Sequence, residues 1–166
     1  MRPIGRGSLE EIVFRMNILH RLQRLGMPII NPPLAIEHAV DKYHILALLE
    51  EQSLPVPRTA VTESQEEALK AFHELGGDVV MKPLFGSRGI GTTRIFDPEI
   101  ATRAFRTVSF YHGVLYLQEF IPHGVSDVRA FVVGERVVAA MHRVAEGWKT
   151  NVSLGAKPVS YKPSEE

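Results

Sequence analysis

Apolar residues recur at helical spacing from the start of the chain. Leu9, Ile12, Val13, Met16, Leu19, Leu22 and Leu25 follow Ser8-Leu9-Glu10-Glu11, which has the form of a capping box, and Gly26 fits the stop position. The pattern predicts an amphipathic helix whose stripe faces a core. After Pro32-Pro33, a short helix is expected over Leu34 to Val40 and another from about Asp41 to Gln52, with Pro55 and Pro57 ending it. Thr59 to Val61 reads as a short strand. A second capping box, Ser64-Gln65-Glu66-Glu67, opens a helix that stops at Gly76-Gly77. Strands are expected over Asp78 to Pro83 and Thr92 to Phe96. Asp97-Pro98 then starts a helix running to about Thr107. Leu115 to Ile121 is a strand. Val128 to Val133 and Arg136 to Val144 form a hairpin about Gly134-Glu135, and the chain from Gly147 onward reads as polar and irregular. This order suggests an α+β arrangement, with antiparallel sheets and helices on one side, more than a doubly wound parallel sheet.

Composition narrows the function classes. The chain has 166 residues, 45% of them hydrophobic, which suits a packed protein and excludes disorder over most of its length. Nineteen basic and nineteen acidic side chains cancel, which argues against a broad footprint for duplex nucleic acid. Nucleic-acid binding through Arg2, Arg6, Arg15, Arg21 and Arg24 is a weaker alternative, because Glu10, Glu11 and the neutral total favour a solvated helix face. Without cysteine there is no disulfide scaffold, thiolate zinc site or thiol nucleophile. No apolar run approaches a membrane span, and no leader precedes the first helix, so a cytoplasmic protein is expected. The seven histidines show no metal-ligand spacing, and no G-x-S-x-G elbow supports hydrolase chemistry.

Leu84-Phe85-Gly86-Ser87-Arg88-Gly89-Ile90-Gly91 is the most glycine-dense stretch, and it joins two strands. Its amides can approach a ligand closely and form an anion-binding concavity, to which Ser87 and Arg88 add a hydroxyl and a cation. An ordinary glycine-rich turn is the competing reading. It is neither a Walker A motif nor a dinucleotide fingerprint, because a strand follows it. Lys82 lies on the preceding strand, where it shares a face with Val80 while Val79 and Met81 share the other. A lysine there either reaches solvent or meets an anion, and the neighbouring loop favours the anion.

The hairpin register follows from its turn. Val132 should oppose Val137 and Arg129 should oppose Ala140. One face, Val128, Ala130, Val132, Val137, Ala139 and Met141, is then wholly apolar and expected in the core. The other gathers Asp127, Arg129, Phe131, Val138, Ala140 and His142, either a lined cleft or a solvated outer face. Arg143 sits at the open end with no assigned direction. Trp148 is expected to serve packing.

In order, Asn31-Pro32, Asp41-Lys42, Val80-Met81-Lys82-Pro83, FGSRGIG, Gln118-Glu119-Phe120-Ile121, Asp127-Val128-Arg129 and Trp148-Lys149-Thr150-Asn151 resemble an ATP-grasp enzyme. The similarity is to the RimK-type α-L-glutamate ligases, over about Pro3 to Asn151. The resemblance implies an ATP-grasp fold of two α+β lobes with antiparallel sheets, the second lobe incomplete here. It divides the chain into a helical segment (1–26) after a preceding α/β domain, a first lobe (27–120) and part of a second (121–166). It implies that Lys42, Lys82, Gly86, Ser87, Arg88, Gly89, Gly91, Gln118, Glu119, Phe120, Ile121 and Asp127 bind the nucleotide. Glu119 to Ile121 would read the adenine edge and Asp127 would face the ribose. Arg129, Arg143, Lys149 and Asn151 would line the phosphate and acceptor side. The implied chemistry activates a carboxylate as an acyl phosphate, which an amine then attacks, with ATP, an amino acid and a protein or cofactor carboxylate as partners and Mg2+ accompanying ATP.

The family's metal ligands fall beyond Asn151. Here the only carboxylates after Asp127 are Glu135, Glu146, Glu165 and Glu166, none in a ligand pattern, so no metal ligand is assigned. The chain therefore reads as a truncated ligase, inactive by itself, or as a non-catalytic nucleotide-binding or interaction module that has lost the metal site. Exposed apolar surface left by missing segments would favour a homo-oligomer.

Overall fold

A computed structural model describes residues 7–162. Two compact units divide at Pro55 and Val56. The first is helical: α1 (Leu9–Arg24), α2 (Pro33–Val40) and α3 (Lys42–Glu51). The Ser8 hydroxyl accepts from the Glu11 N–H while the Glu11 carboxylate accepts from the Ser8 N–H, completing the expected box. Asp41 caps α3, its Oδ1 accepting from the N–H groups of Tyr43 and His44 at 2.9 and 3.0 Å. His20 Nε2 lies 2.9 Å from Glu37 Oε1 and ties α1 to α2. The expected burial of the α1 stripe holds only at its centre. Met16 is buried and Ile12, Leu19 and Leu22 are half-buried, but Leu9, Val13 and Leu25 are exposed, because nothing among the described residues covers both ends of a 16-residue helix.

The second unit opens with a four-stranded sheet. Its strands are β1 (Thr59–Thr62), β2 (Val79–Lys82), β3 (Thr93–Ile95) and β4 (Leu115–Glu119), in the order β1-β4-β2-β3 with every pairing antiparallel. Helices α4 (Gln65–Glu74) and α5 (Pro98–Phe110) cover one face. Strand alternation turns Val79, Ile95, Leu115 and Leu117 to that face, where they pack on Ala68, Ala71 and Phe72 of α4 and Ala101 and Phe105 of α5. Phe72 and Phe105 meet edge to face at 6.4 Å. The same alternation leaves Thr59, Tyr116, Gln118, Val80, Lys82 and Arg94 on the opposite face. The expected division of Val80 and Lys82 from Val79 and Met81 is the one observed.

Asp97 caps α5, its carboxylate accepting from the Ile100 N–H at 2.9 Å, with Pro98 at the first helical position. The helix runs three residues past the expected Thr107. Asp97→Ala removes the cap and is expected to cost about 1 kcal/mol, visible as a lower urea midpoint with an unchanged slope.

A second sheet of three strands follows: β5 (Ser126–Val133), β6 (Arg136–Val144) and β7 (Lys157–Tyr161), in that order. Gly134, at a φ of 59°, supplies the turn that joins β5 to β6. Val132 opposes Val137 as expected, but the register then shifts between Phe131 and Val132, so that Phe131 opposes Ala139, Arg129 opposes Met141 and Asp127 opposes Arg143. One extra residue on β6, Val138, is absorbed as a bulge. Two expectations fall with it. Arg129 does not oppose Ala140, and the polar face gathers Arg143 instead of His142, which stacks edge to face on Tyr161 at 4.6 Å. The apolar face is not core either: Val128, Val132 and Val137 are exposed, since neither face of this sheet carries a helix among the described residues. The stretch after Gly147 is also more ordered than expected. It contains a 3₁₀ turn over Val152–Leu154 and β7, an edge strand that tolerates Pro158 because only one side of it is paired.

Candidate nucleotide site

The face of the first sheet opposite α4 and α5 carries one polar chain across three neighbouring strands. Lys82 Nζ on β2 donates to Gln118 Oε1 on β4. Gln118 Nε2 donates to Thr59 Oγ1 on β1 at 2.9 Å, and the Thr59 hydroxyl donates to the Pro57 carbonyl at 2.8 Å. Gln118 is buried, so each of its polar atoms needs such a partner. Lys82 is thereby fixed at the point where β2 gives way to the glycine segment.

That segment turns sharply. Arg88, Gly89 and Gly91 take φ values of 63°, 72° and 76°, in the left-handed region that glycine enters without strain. The N–H groups of Ile90 and Thr92 close its two turns on the carbonyls of Ser87 and Gly89, both at 3.3 Å. Among the described residues, the N–H groups of Ser87, Arg88, Gly89 and Gly91 donate to no backbone carbonyl. The loop rests on the 3₁₀ turn of the second sheet's connection: Ser153 Oγ donates to the Arg88 carbonyl at 3.1 Å, and Gly89 is so close to Asn151 and Leu154 that a Cβ there would stand 2.9 Å from Asn151 Cγ.

The bulge in the hairpin creates the next cluster. Arg143 meets Asp127 side-on, Nε donating to Oδ1 at 2.7 Å and Nη2 to Oδ2, while Thr150 Oγ1 donates to the same Oδ2 at 2.7 Å. Burial opposes ionisation of Asp127, but the hydrogen bonds from Arg143 and Thr150 outweigh it and hold the carboxyl below the ordinary carboxylate range. The Asp127 carboxylate thus positions Arg143.

The segment after β4 is anchored on both sides. Arg58 donates to Glu119 from its backbone N–H and from Nε, both at 2.8 Å, and these bonds lower the Glu119 pKa. The N–H groups of Glu119 and Phe120 already donate to the carbonyls of Arg58 and Asp78, at 2.9 and 3.0 Å; that of Ile121 donates to no backbone carbonyl among the described residues. The Arg94 guanidinium lies 3.5 Å over the Phe120 ring, and Trp148 meets Phe120 edge to face at 5.9 Å, which is the packing role expected of it. Lys149 Nζ sits 5.3 Å from the Trp148 ring.

Of the expected site residues, the structure thus joins Lys82 to Gln118, Gly89 to Asn151, and Asp127 to Arg143. Gly86 and Ser87 lie exposed in the loop, Ile121 is exposed at the end of its segment, and the Arg129 guanidinium lies 5.8 Å from the Phe131 ring centre. Lys42 opens α3 in the first unit, where burial lowers its pKa and neighbouring Asp41 opposes that shift. Thr59, Arg58, Arg94 and Ser153 emerge only from the structure, as does the bond of Thr150 to Asp127. A cavity of about 460 Å³ with a largely apolar wall is lined by Met81, Lys82, Pro83, Phe85, Gly91 and Val108 among others, so it adjoins the glycine loop at Lys82 and Gly91 while Gln118 and Asp127 lie outside its lining.

Residues 39–166 match the RimK-like ATP-grasp domain. The chain belongs to the RimK-like ATP-grasp family. Tetrahydromethanopterin:α-L-glutamate ligase of Methanosarcina acetivorans is 38% identical over 168 residues, covering 93% of this chain and 52% of that protein. The same-named protein of Methanococcus maripaludis is 39% identical and covers 100% of this chain and 57% of its own length. The chain spans about half the length of the curated relatives it matches. The fold is that of the RimK-domain ATP-grasp protein of Sphaerobacter thermophilus, with a TM-score of 0.72 at 22% identity over 91% of this chain and 54% of that one. D-alanine–D-alanine ligase of Bacillus anthracis, solved with ATP, has a TM-score of 0.66 at 16% identity, covering 89% and 48%. The α+β architecture with antiparallel sheets is therefore the ATP-grasp fold. Among the described residues, no helix is long and apolar enough to cross a membrane.

Proposed function

We propose that this chain carries the nucleotide-binding part of an ATP-dependent ligase that joins glutamate to a carboxylate on a cofactor or a protein. The observation that carries this reading is Lys82, held by Gln118 at the foot of a glycine loop with four N–H groups not engaged by backbone carbonyls. An ammonium beside a row of amides fits a polyphosphate, whose transfer requires positioning and charge neutralisation more than covalent help from the protein. In the proposed reaction a carboxylate oxygen attacks the γ-phosphorus, ADP leaves with the bridging oxygen, and the resulting acyl phosphate is attacked by the amine of glutamate. Phosphate departs with the acyl C–O bonding pair, the nitrogen loses a proton, and an amide remains. Arg143, oriented by Asp127, and Asn151 beneath the loop are suited to the phosphate and acceptor side, with Arg129 and Lys149 as further candidates. Lys42 is retained as a nucleotide contact on the family resemblance.

The described residues do not fit a resident metal ion. No three His, Asp or Glu side chains gather to hold one, and both Asp127 oxygens already accept hydrogen bonds.

Lys82→Ala removes a charge-assisted contact and is expected to weaken ATP binding about tenfold, measured by calorimetric titration; unchanged affinity overturns the reading. Glu119→Gln is expected to leave ATP affinity within about twofold, because the Glu119 side chain serves Arg58 and the adenine edge is read by backbone groups. Self-association through the exposed valines of β5 and β6 is the proposed oligomer contact, and sedimentation as a monomer removes it.

A further inference from the structure

We propose that Thr59 is a positioning residue for Lys82, acting through the side-chain amide of Gln118; this rests on the reading of Lys82 as a phosphate contact. The three residues come from adjacent strands of one sheet face. Thr59 stands directly opposite Gln118, and Val80, next before Lys82 on that face, opposes Gln118 from the other side. The Thr59 hydroxyl has one proton, and it is committed to the Pro57 carbonyl at 2.8 Å. Its oxygen can therefore only accept from the amide, and what stands 2.9 Å away must be the Gln118 NH2 group. That choice fixes the other end of the amide as a carbonyl oxygen, the end that Lys82 meets.

A flipped amide would set oxygen lone pairs against Thr59 and turn two N–H donors on an ammonium. At 8% exposure, Gln118 has little water to relieve either conflict. Thr59 thus sets the polarity of a dipole whose negative end holds the lysine. Because the holding group is neutral, this contact steers the ammonium without itself cancelling its charge. Glutamate at position 118 would steer equally well and neutralise it.

The test compares ATP affinity of the full chain by calorimetry for the wild type, Thr59→Val, Thr59→Ser and Lys82→Ala, with the Lys82 ammonium followed by 15N NMR. Thr59→Val keeps the branched shape and removes the acceptor. It is expected to weaken ATP binding about fivefold and to shift or broaden the Lys82 signal, while Thr59→Ser restores both to within about twofold of wild type. If Lys82→Ala loses affinity while Thr59→Val keeps wild-type affinity and an unchanged Lys82 signal, the inference is overturned and the nucleotide site stands. If Lys82→Ala keeps its affinity, the nucleotide reading fails and this inference fails with it. Should Thr59→Val not fold, the wild type decides: Gln118 NH2 protons protected from exchange support the chain of bonds, and exchange at the rate of free glutamine overturns it.

Discussion

Gly89→Val is expected to weaken ATP binding by about two orders of magnitude, roughly 2.7 kcal/mol, while leaving the four-stranded core folded. Two costs act together. The backbone at Gly89 has a φ of 72°, and a β-branched residue is a genuine outlier there. Its Cβ would also stand 2.9 Å from Asn151 Cγ and 3.1 Å from Leu154 Cδ1. Relief requires that the loop lift from the 3₁₀ turn, breaking the Ser153–Arg88 hydrogen bond, or that Asn151 rotate away. Either movement disperses the amides proposed to face the phosphates. Calorimetric titration with ATP, alongside thermal melting to verify the fold, measures the effect; affinity within twofold of wild type would show that the loop does not cradle the nucleotide.

Asp127→Ala is expected to destabilise the second sheet by about 2–3 kcal/mol in urea unfolding. Removing one partner strands the Arg143 charge, whose side chain is 16% exposed, and leaves the buried Thr150 hydroxyl without its acceptor. Breaking a fully buried pair costs about 3–5 kcal/mol, and the 30% exposure of the Asp127 side chain lowers the figure. The sign of the pH dependence follows from the lowered pKa. An acid more easily ionised in the folded state than in the unfolded chain contributes stability above its ordinary pKa near 3.9 and loses that contribution as pH falls through its folded value. The stability gap between wild type and Asp127→Ala should therefore be full near neutrality and shrink below about pH 4. A gap independent of pH would contradict the pairing.

Local signals made most of the elements legible in the sequence. The capping box at Ser8, the Ser64 cap and the Asp97-Pro98 start mark three helices, although the Ser64 N–H donates to Thr62 Oγ1 and not to Glu67, so only half of the second expected box forms. Period-two alternation separates Lys82 from Met81. The hairpin shows where such signals stop. Its turn was marked by Gly134, but no glycine or proline marks the bulge beside Phe131. One absorbed residue exchanged His142 for Arg143 as the partner face of Asp127. Strand β7 escaped notice because Lys157-Pro158-Val159-Ser160-Tyr161 is short, polar and contains proline, and only its pairing with β6 makes it a strand. The partners that give the site residues their roles are distant in the chain: Lys82 and Gln118 are 36 residues apart, and Arg58 and Glu119 are 61 apart. No periodicity reports such contacts, so Thr59, Arg58 and the bond of Thr150 to Asp127 could not be found from sequence alone.

The central claim is that the polar sheet face bearing Lys82 and the glycine loop bind ATP. Calorimetric titration of the chain with ATP, with and without magnesium, tests it most directly. The expected result is saturable binding of one ATP per chain. A titration without heat beyond dilution, confirmed by the absence of ATP retention in equilibrium dialysis, would contradict it.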